Sequence, residues 1–234
     1  MKTLICLIAL SAVGCVQDGQ QYHSAEYRGR PLLHASLVKD ERAMLSEEAI
    51  KALLESRIRI QERVKLAVLP LGHQGEFAES CWTRGSTRPV EFLQEHKQYL
   101  AALEVPLAAT GRFTEITHVP ALLLPDEPSL TRLREAAALM QAELLLVYTT
   151  RCQLISKRAF LAKDKVKATA SLELILLDVR TGVVPYAETF DVEHVEKEES
   201  DDYSIVDTQR RAERQATLLV MEKTAEGLKR FMAP

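Results

Sequence analysis

The sequence predicts an α/β (α+β) protein with a single domain: a mixed sheet of about five strands, helices packed on it, and a long C-terminal helix. Three observations carry this. Short apolar runs bounded by proline or glycine alternate with segments whose apolar residues recur at helical spacing. The stretch 166–178 sets Val166, Ala168, Ala170, Leu172, Leu174 and Leu176 on one face against Lys167, Thr169, Ser171 and Glu173 on the other, the mark of a strand with one buried face. The last segment, from about Asp202 to Phe231, sets Met221, Ala225, Leu228 and Met232 on one helical stripe. A chain of 234 residues is long enough to bury a full core in one domain.

The elements follow in order. Ser46 caps a helix over 46–60, with Glu47 and Glu48 in its first turn and Ile50, Leu53, Leu54 and Ile58 on one face. "KLAVLPLG" is a short apolar run closed by proline and glycine, a buried strand. Pro89 suits the first position of a second helix, which carries Phe92, Leu93, Tyr99, Leu100 and Leu103. "GRFTEITHVP" is a weaker strand, and a third helix spans Ser129 to Ala142. Strands over 144–156 and 166–178 follow. The second turns through "DVRTGVV", where Gly182 supplies positive φ, into the return strand "VPYAETFDVEHV". Helical crossovers make the early strands parallel and the hairpins make the later ones antiparallel, so the sheet is mixed.

The N-terminal end reads differently. Lys2 is a short positive region, Leu4 to Leu10 an apolar one, and Ala12 to Gly14 the small residues that precede a cut. The apolar run is too short to span a bilayer and gives way at once to Gln17, Asp18, Gly19 and Gln20. Ala12-Val13-Gly14-Cys15 resembles the bacterial lipobox, which makes Cys15 the lipidation site, an acylated (palmitate-type) anchor. Two or three acyl chains hold stably where one is marginal. Val16 stands where an aspartate would signal inner-membrane retention, so the expected location is the outer membrane, facing the periplasm. The expected organisation is a signal peptide over 1–14, a polar tether over 15–42 and the mixed-sheet domain over 43–234. A flexible tether of about 27 residues has an r.m.s. span of roughly 30 Å.

Composition excludes some functions. The formal charge is −3, and it becomes −4 if Lys2 leaves with the signal, so no net basic field invites nucleic acid. Cys81 and Cys152 remain after Cys15, and whether they pair is open. No nucleophile-elbow, phosphate-loop, dinucleotide or zinc-protease motif occurs, and His23, His34, His73, His96, His118 and His194 are scattered without metal-ligand spacing. The expectation is a non-enzyme with no catalytic residues, no metal and no cofactor. A site assembled from distant residues escapes such a search.

Three stretches carry alternatives. The loop after the first strand holds His73, Cys81 and the one tryptophan, Trp82, at the carboxyl end of a strand, where α/β proteins form crevices. Trp82 is either a partner anchor or a cap on the sheet. The acidic run "EHVEKEESDDYS" reads mainly as a solvated face leading into a helix N-terminus. The connection 156–167 sets Lys157, Arg158, Lys163, Lys165 and Lys167 around Phe160 and Leu161, which either contact anionic head groups or a partner protein, or fold under the sheet.

The succession "KLAVLPL", "VPALLLP", "LREAAALMQAELLLVYTT" and "LELILLDVRTGVVPYAET" resembles a group of bacterial envelope lipoproteins. It is similar to the fold shared by the curli-secretion lipoprotein CsgG, the penicillin-binding-protein activator LpoB and the N-terminal domain of TolB, and most similar to the rhombotail lipoproteins. The resemblance covers roughly 46–232. One departure is that the chain ends "KRFMAP", without a Gly-rich or hydrophobic tail. The resemblance implies a lipid-anchored accessory protein that binds an envelope partner, with homo-oligomerisation open. The alternative is a CsgG-like secretion-pore subunit, for which the strands over 144–156 and 166–178 are long enough.

Overall fold

The computed structural model describes residues 46–55, 60, 62–71, 89–124, 129–157 and 163–233. In chain order they form α1 (Glu47–Glu55), β1 (Val64–Pro70), α2 (Pro89–Ala108), β2 (Phe113–His118), a short 3₁₀ turn (Ala121–Leu123), α3 (Leu130–Leu139), β3 (Leu144–Lys157), β4 (Lys165–Asp178), β5 (Tyr186–Lys197) and α4 (Ile205–Met232). The five strands make one sheet in the order β2-β1-β3-β4-β5. β1 is parallel to both β2 and β3, while β3, β4 and β5 form an antiparallel meander. This is the mixed sheet the sequence predicts.

The front face is covered by α2 and α4. Val64, Leu66 and Val68 of β1, Leu144, Leu146 and Tyr148 of β3 and the whole alternating row of β4, Val166 to Leu176, are buried there. Each such leucine removed from water contributes about 1.5–3 kcal/mol. α4 supplies Ala212, Ala216, Val220, Met221, Ala225, Leu228 and Met232, which include the stripe expected from its spacing. Its contact with β5 is close. A Cβ on Gly227 would fall 2.9 Å from Phe190 Cε1 and 3.0 Å from Tyr186 Oη, so only glycine fits there.

The back face is covered over part of its extent. α3 sets Leu133, Ala136 and Ala137 against Ala67, Leu69, Leu145, Val147, Leu177 and Val179. Glu143, just before β3, fastens this end: its carboxylate accepts from the Lys65 amide at 2.7 Å, and its own amide donates to the Lys65 carbonyl at 3.1 Å.

Some boundaries differ from the sequence reading. α3 stops at Leu139 rather than Ala142. Gln141 takes a left-handed φ of 57°, and the Ala142 amide reaches back to the Ala137 carbonyl at 3.0 Å, closing the helix without the glycine that usually marks such an end. The β4–β5 turn is wider than a tight hairpin. Asp178 accepts from the Thr181 amide at 2.7 Å and hydroxyl at 2.9 Å, and Gly182 has the expected positive φ, 78°. α1 is described over Glu47–Glu55; of its expected stripe Ile50 is 44% and Leu54 83% exposed, Leu53 is half-buried, and Ile58 lies outside the described residues.

Candidate functional site

Most residues singled out in the sequence lie outside the described residues: Cys15, His73, Cys81, Trp82, Arg158, Phe160 and Leu161. Lys157, Lys163 and Lys165 are described, and all three are exposed. Their setting differs from the expected loop over 156–167. The antiparallel ladder runs on until Lys157 and Lys165 are direct cross-strand partners, so both belong to the sheet and the connection is confined to 158–164. Lys167 is also a strand residue, paired with Glu193 at 2.6 Å. The pattern obscured this because a lysine on an open sheet face and one in a loop look alike in sequence.

Beyond the reach of α3, no helix among the described residues covers the back face of the β3–β5 arm. Three rows cross it: Lys157, Lys165 and Lys197 at the end, then Ile155, Lys167 and Val195, then Gln153, Thr169 and Glu193. Further in, Ser171 donates to Asp191 at 2.5 Å. Most of these side chains are polar, with Ile155 and Val195 the exposed exceptions, because the residues that alternate with them on the other face already supply the core.

The acidic run has structural partners. His194 meets Glu196 at 3.0 Å, Glu198 accepts from the Asp164 amide at 3.3 Å, and Asp202 accepts from Arg211 and from the Thr208 hydroxyl, each at 2.8 Å. The Arg211 guanidinium holds the Asp202 carboxyl well below the usual carboxylate range. Asp207 closes the start of α4 by accepting from the Ser204 amide at 3.0 Å. This supports the reading of the run as a helix entry.

A second polar group was missed in the sequence. His118, the last residue of β2, pairs with Glu104 of α2 at 2.8 Å, and this contact raises its pKa. His96 of α2 lies close enough that burial first, and the His118 charge second, lower its pKa. Tyr148 of β3 is buried near Glu104, and burial pushes its hydroxyl well above the ordinary phenol range. Two of the scattered histidines therefore meet where α2 crosses the carboxyl ends of β1 and β2. No spacing signals this, because the contact depends on the packing of α2 on the sheet. Among the described residues no group of three or more His, Cys, Asp or Glu side chains is placed to hold a metal ion, and no helix is long and apolar enough to cross a membrane.

No family model matches the chain, and no curated protein matches it in sequence. Several solved structures superpose on part of it. Protein XCC0632 from Xanthomonas campestris is 14% identical, over 72% of this chain and 85% of that one, with a TM-score of 0.41. Lipoprotein GNA1162 from Neisseria meningitidis is 14% identical over 64% and 94%, with a TM-score of 0.32. The PelC dodecamer from Paraburkholderia phytofirmans is 13% identical over 76% and 93%, with a TM-score of 0.33. Superposition at this level assigns neither a partner nor an activity.

Proposed function

We propose that this chain is a non-catalytic, lipid-anchored envelope protein that works by binding, as an adaptor or accessory factor for an outer-membrane assembly, secretion or cell-wall machine. The observation that carries the proposal is the apolar run Leu4 to Leu10 ending, after small residues, at Cys15. The lipid holds the protein and the tether gives it reach. The open back face of the β3–β5 arm offers a surface for the partner. A transmembrane hairpin would turn the apolar row of β4 to lipid, whereas that row, Val166 to Leu176, lies under α4. This favours the adaptor over the pore subunit.

Mass spectrometry of the protein from bacterial envelopes tests the anchor. The expected N-terminal residue is an acylated Cys15, and Cys15→Ser leaves the protein unacylated. An unmodified start at any other residue overturns the anchor and the outer-membrane location with it. Cross-linking in intact envelopes tests the adaptor role: a specific second protein is expected, and recovery of the chain cross-linked only to itself in closed rings supports the pore.

A further inference from the structure

β3, β4 and β5 end together, away from α3, and there Lys157, Lys165 and Lys197 stand directly opposite one another across the two ladders. All three side chains are exposed, and Lys163 is exposed just before β4. Like charges at strand spacing, about 4.8 Å, repel one another. No ion pair neutralises the three among the described residues; the nearest one on this face joins Lys167, in the next row, to Glu193. Lys167 is flanked across the strands by Ile155 and Val195, 55% and 54% exposed. Three of the four carboxylates of the following turn have partners: Glu198 binds the Asp164 amide, Glu199 lies 3.9 Å from Arg211, and Asp202 binds Arg211 and Thr208 on α4, while Asp201 is exposed.

The strip thus has two rows, one of unneutralised ammonium groups and one in which two β-branched apolar side chains flank a paired lysine. We propose that it docks on an anionic phospholipid surface, so that the arm lies against the membrane. The choice of cation argues for lipid over an acidic peptide. Every cation in this row is lysine, a point charge on a flexible stem that can follow phosphates as they shift laterally, and the exposed Ile155 and Val195 beside it can enter the interface of a bilayer. The domain as a whole is not basic, so the attraction is local and short-ranged. The proposal rests on the preceding reading only in supposing that a membrane lies within reach.

The test uses the full chain purified from bacterial envelopes and mixed with vesicles of phosphatidylcholine alone or with phosphatidylglycerol added. Flotation with phosphatidylcholine alone reports the lipid anchor. Amine labelling read by mass spectrometry reports the docking, with exposed Lys51, Lys97 and Lys229 as internal references. Lys157, Lys165 and Lys197 are expected to be protected relative to the references only when phosphatidylglycerol is present, with protection lost near 1 M salt, where the Debye length is about 3 Å. Lys165→Gln should lower the ratio of docked to undocked protein about fivefold, read at Lys157 and Lys197. Equal labelling on the two vesicles overturns the docking, whether or not the anchor holds. Protection that appears without vesicles as protein concentration rises also overturns it and assigns the strip to a second copy of the chain.

Discussion

Leu174 and Glu173 are neighbours on β4, yet they live in different solvents. On the front of the β3–β5 arm α4 lies over the strands, and the row from Val166 to Leu176 is buried throughout. On the back of the same strands α3 covers one end, and beyond it Lys167, Thr169, Ser171 and Glu173 keep part of their surface in water. The backbone is shared, so the difference comes from period two alone: a strand that alternates strictly commits each residue to one face, and shifting it by a single position would put six apolar side chains in water. Stability is concentrated on the front, which leaves the open back face free to change its chemistry at little cost to folding.

The largest test of that contrast is Leu174→Ala. The side chain is 1% exposed within the main core cluster, so removing it is expected to cost about 2–5 kcal/mol in chemical denaturation. A loss near zero would mean that the front is loosely packed. Gly227→Ala probes the same face from the helix side. In an ordinary helix interior the change gains about 1 kcal/mol. Here the new methyl meets Phe190 and Tyr186, and the expected outcome reverses to a loss of about 1–3 kcal/mol. A gain on thermal unfolding would show that α4 stands farther from β5 than described.

The group between α2 and β2 gives a smaller, pH-dependent effect, and its two histidines have opposite signs. The groups facing one another are His96 and Glu104 from α2, His118 from β2 and Tyr148 from β3. The pKa of His118 is raised by Glu104, so its contribution is fully present below the unfolded value, about 6.5, and is lost as pH rises through the folded value. The pKa of His96 is lowered, so it costs stability as pH falls below about 6.5 and nothing above. His118→Gln is therefore expected to destabilise by about 0.2–1 kcal/mol at mildly acid pH and less at alkaline pH. His96→Gln should gain relative to wild type on acidification. Denaturation midpoints over this range that move in parallel for both variants would overturn the opposite signs.

The front face was legible in the sequence and the back face was only half so. Strict alternation in β4 identified Leu172, Leu174 and Leu176, and the stripe Met221, Ala225, Leu228 and Met232 identified the buried side of α4, because burial repeats with the period of the element. The end of α3 was hidden, since Gln141 adopts a conformation that glycine normally announces. The histidine pair was hidden because about three helical turns, a loop and a strand separate its members. The lysine row was hidden in part: Lys157 and Lys165 stand out in a basic stretch, but Lys197 joins them through strand register, which composition does not reveal.

The smallest expected effect lies on the open face itself. Thr169→Val exchanges a hydroxyl for a methyl between Gln153 and Glu193, on a row with no helix over it among the described residues. Both residues are β-branched, so strand propensity is nearly unchanged, and no core contact is made or lost. Unfolding stability should stay within about ±0.5 kcal/mol of wild type. Burying a hydroxyl-bearing residue of this size would behave otherwise, because removing an unpaired buried hydroxyl or a hydrogen-bonded one changes stability by about 1–3 kcal/mol in either direction. A shift of that size at Thr169 would mean that the back face is covered in the protein as it exists in solution. The same measurement repeated over a range of protein concentration identifies the cover: a shift that grows with concentration assigns it to another copy of the chain, and one that does not assigns it to a segment of the same chain.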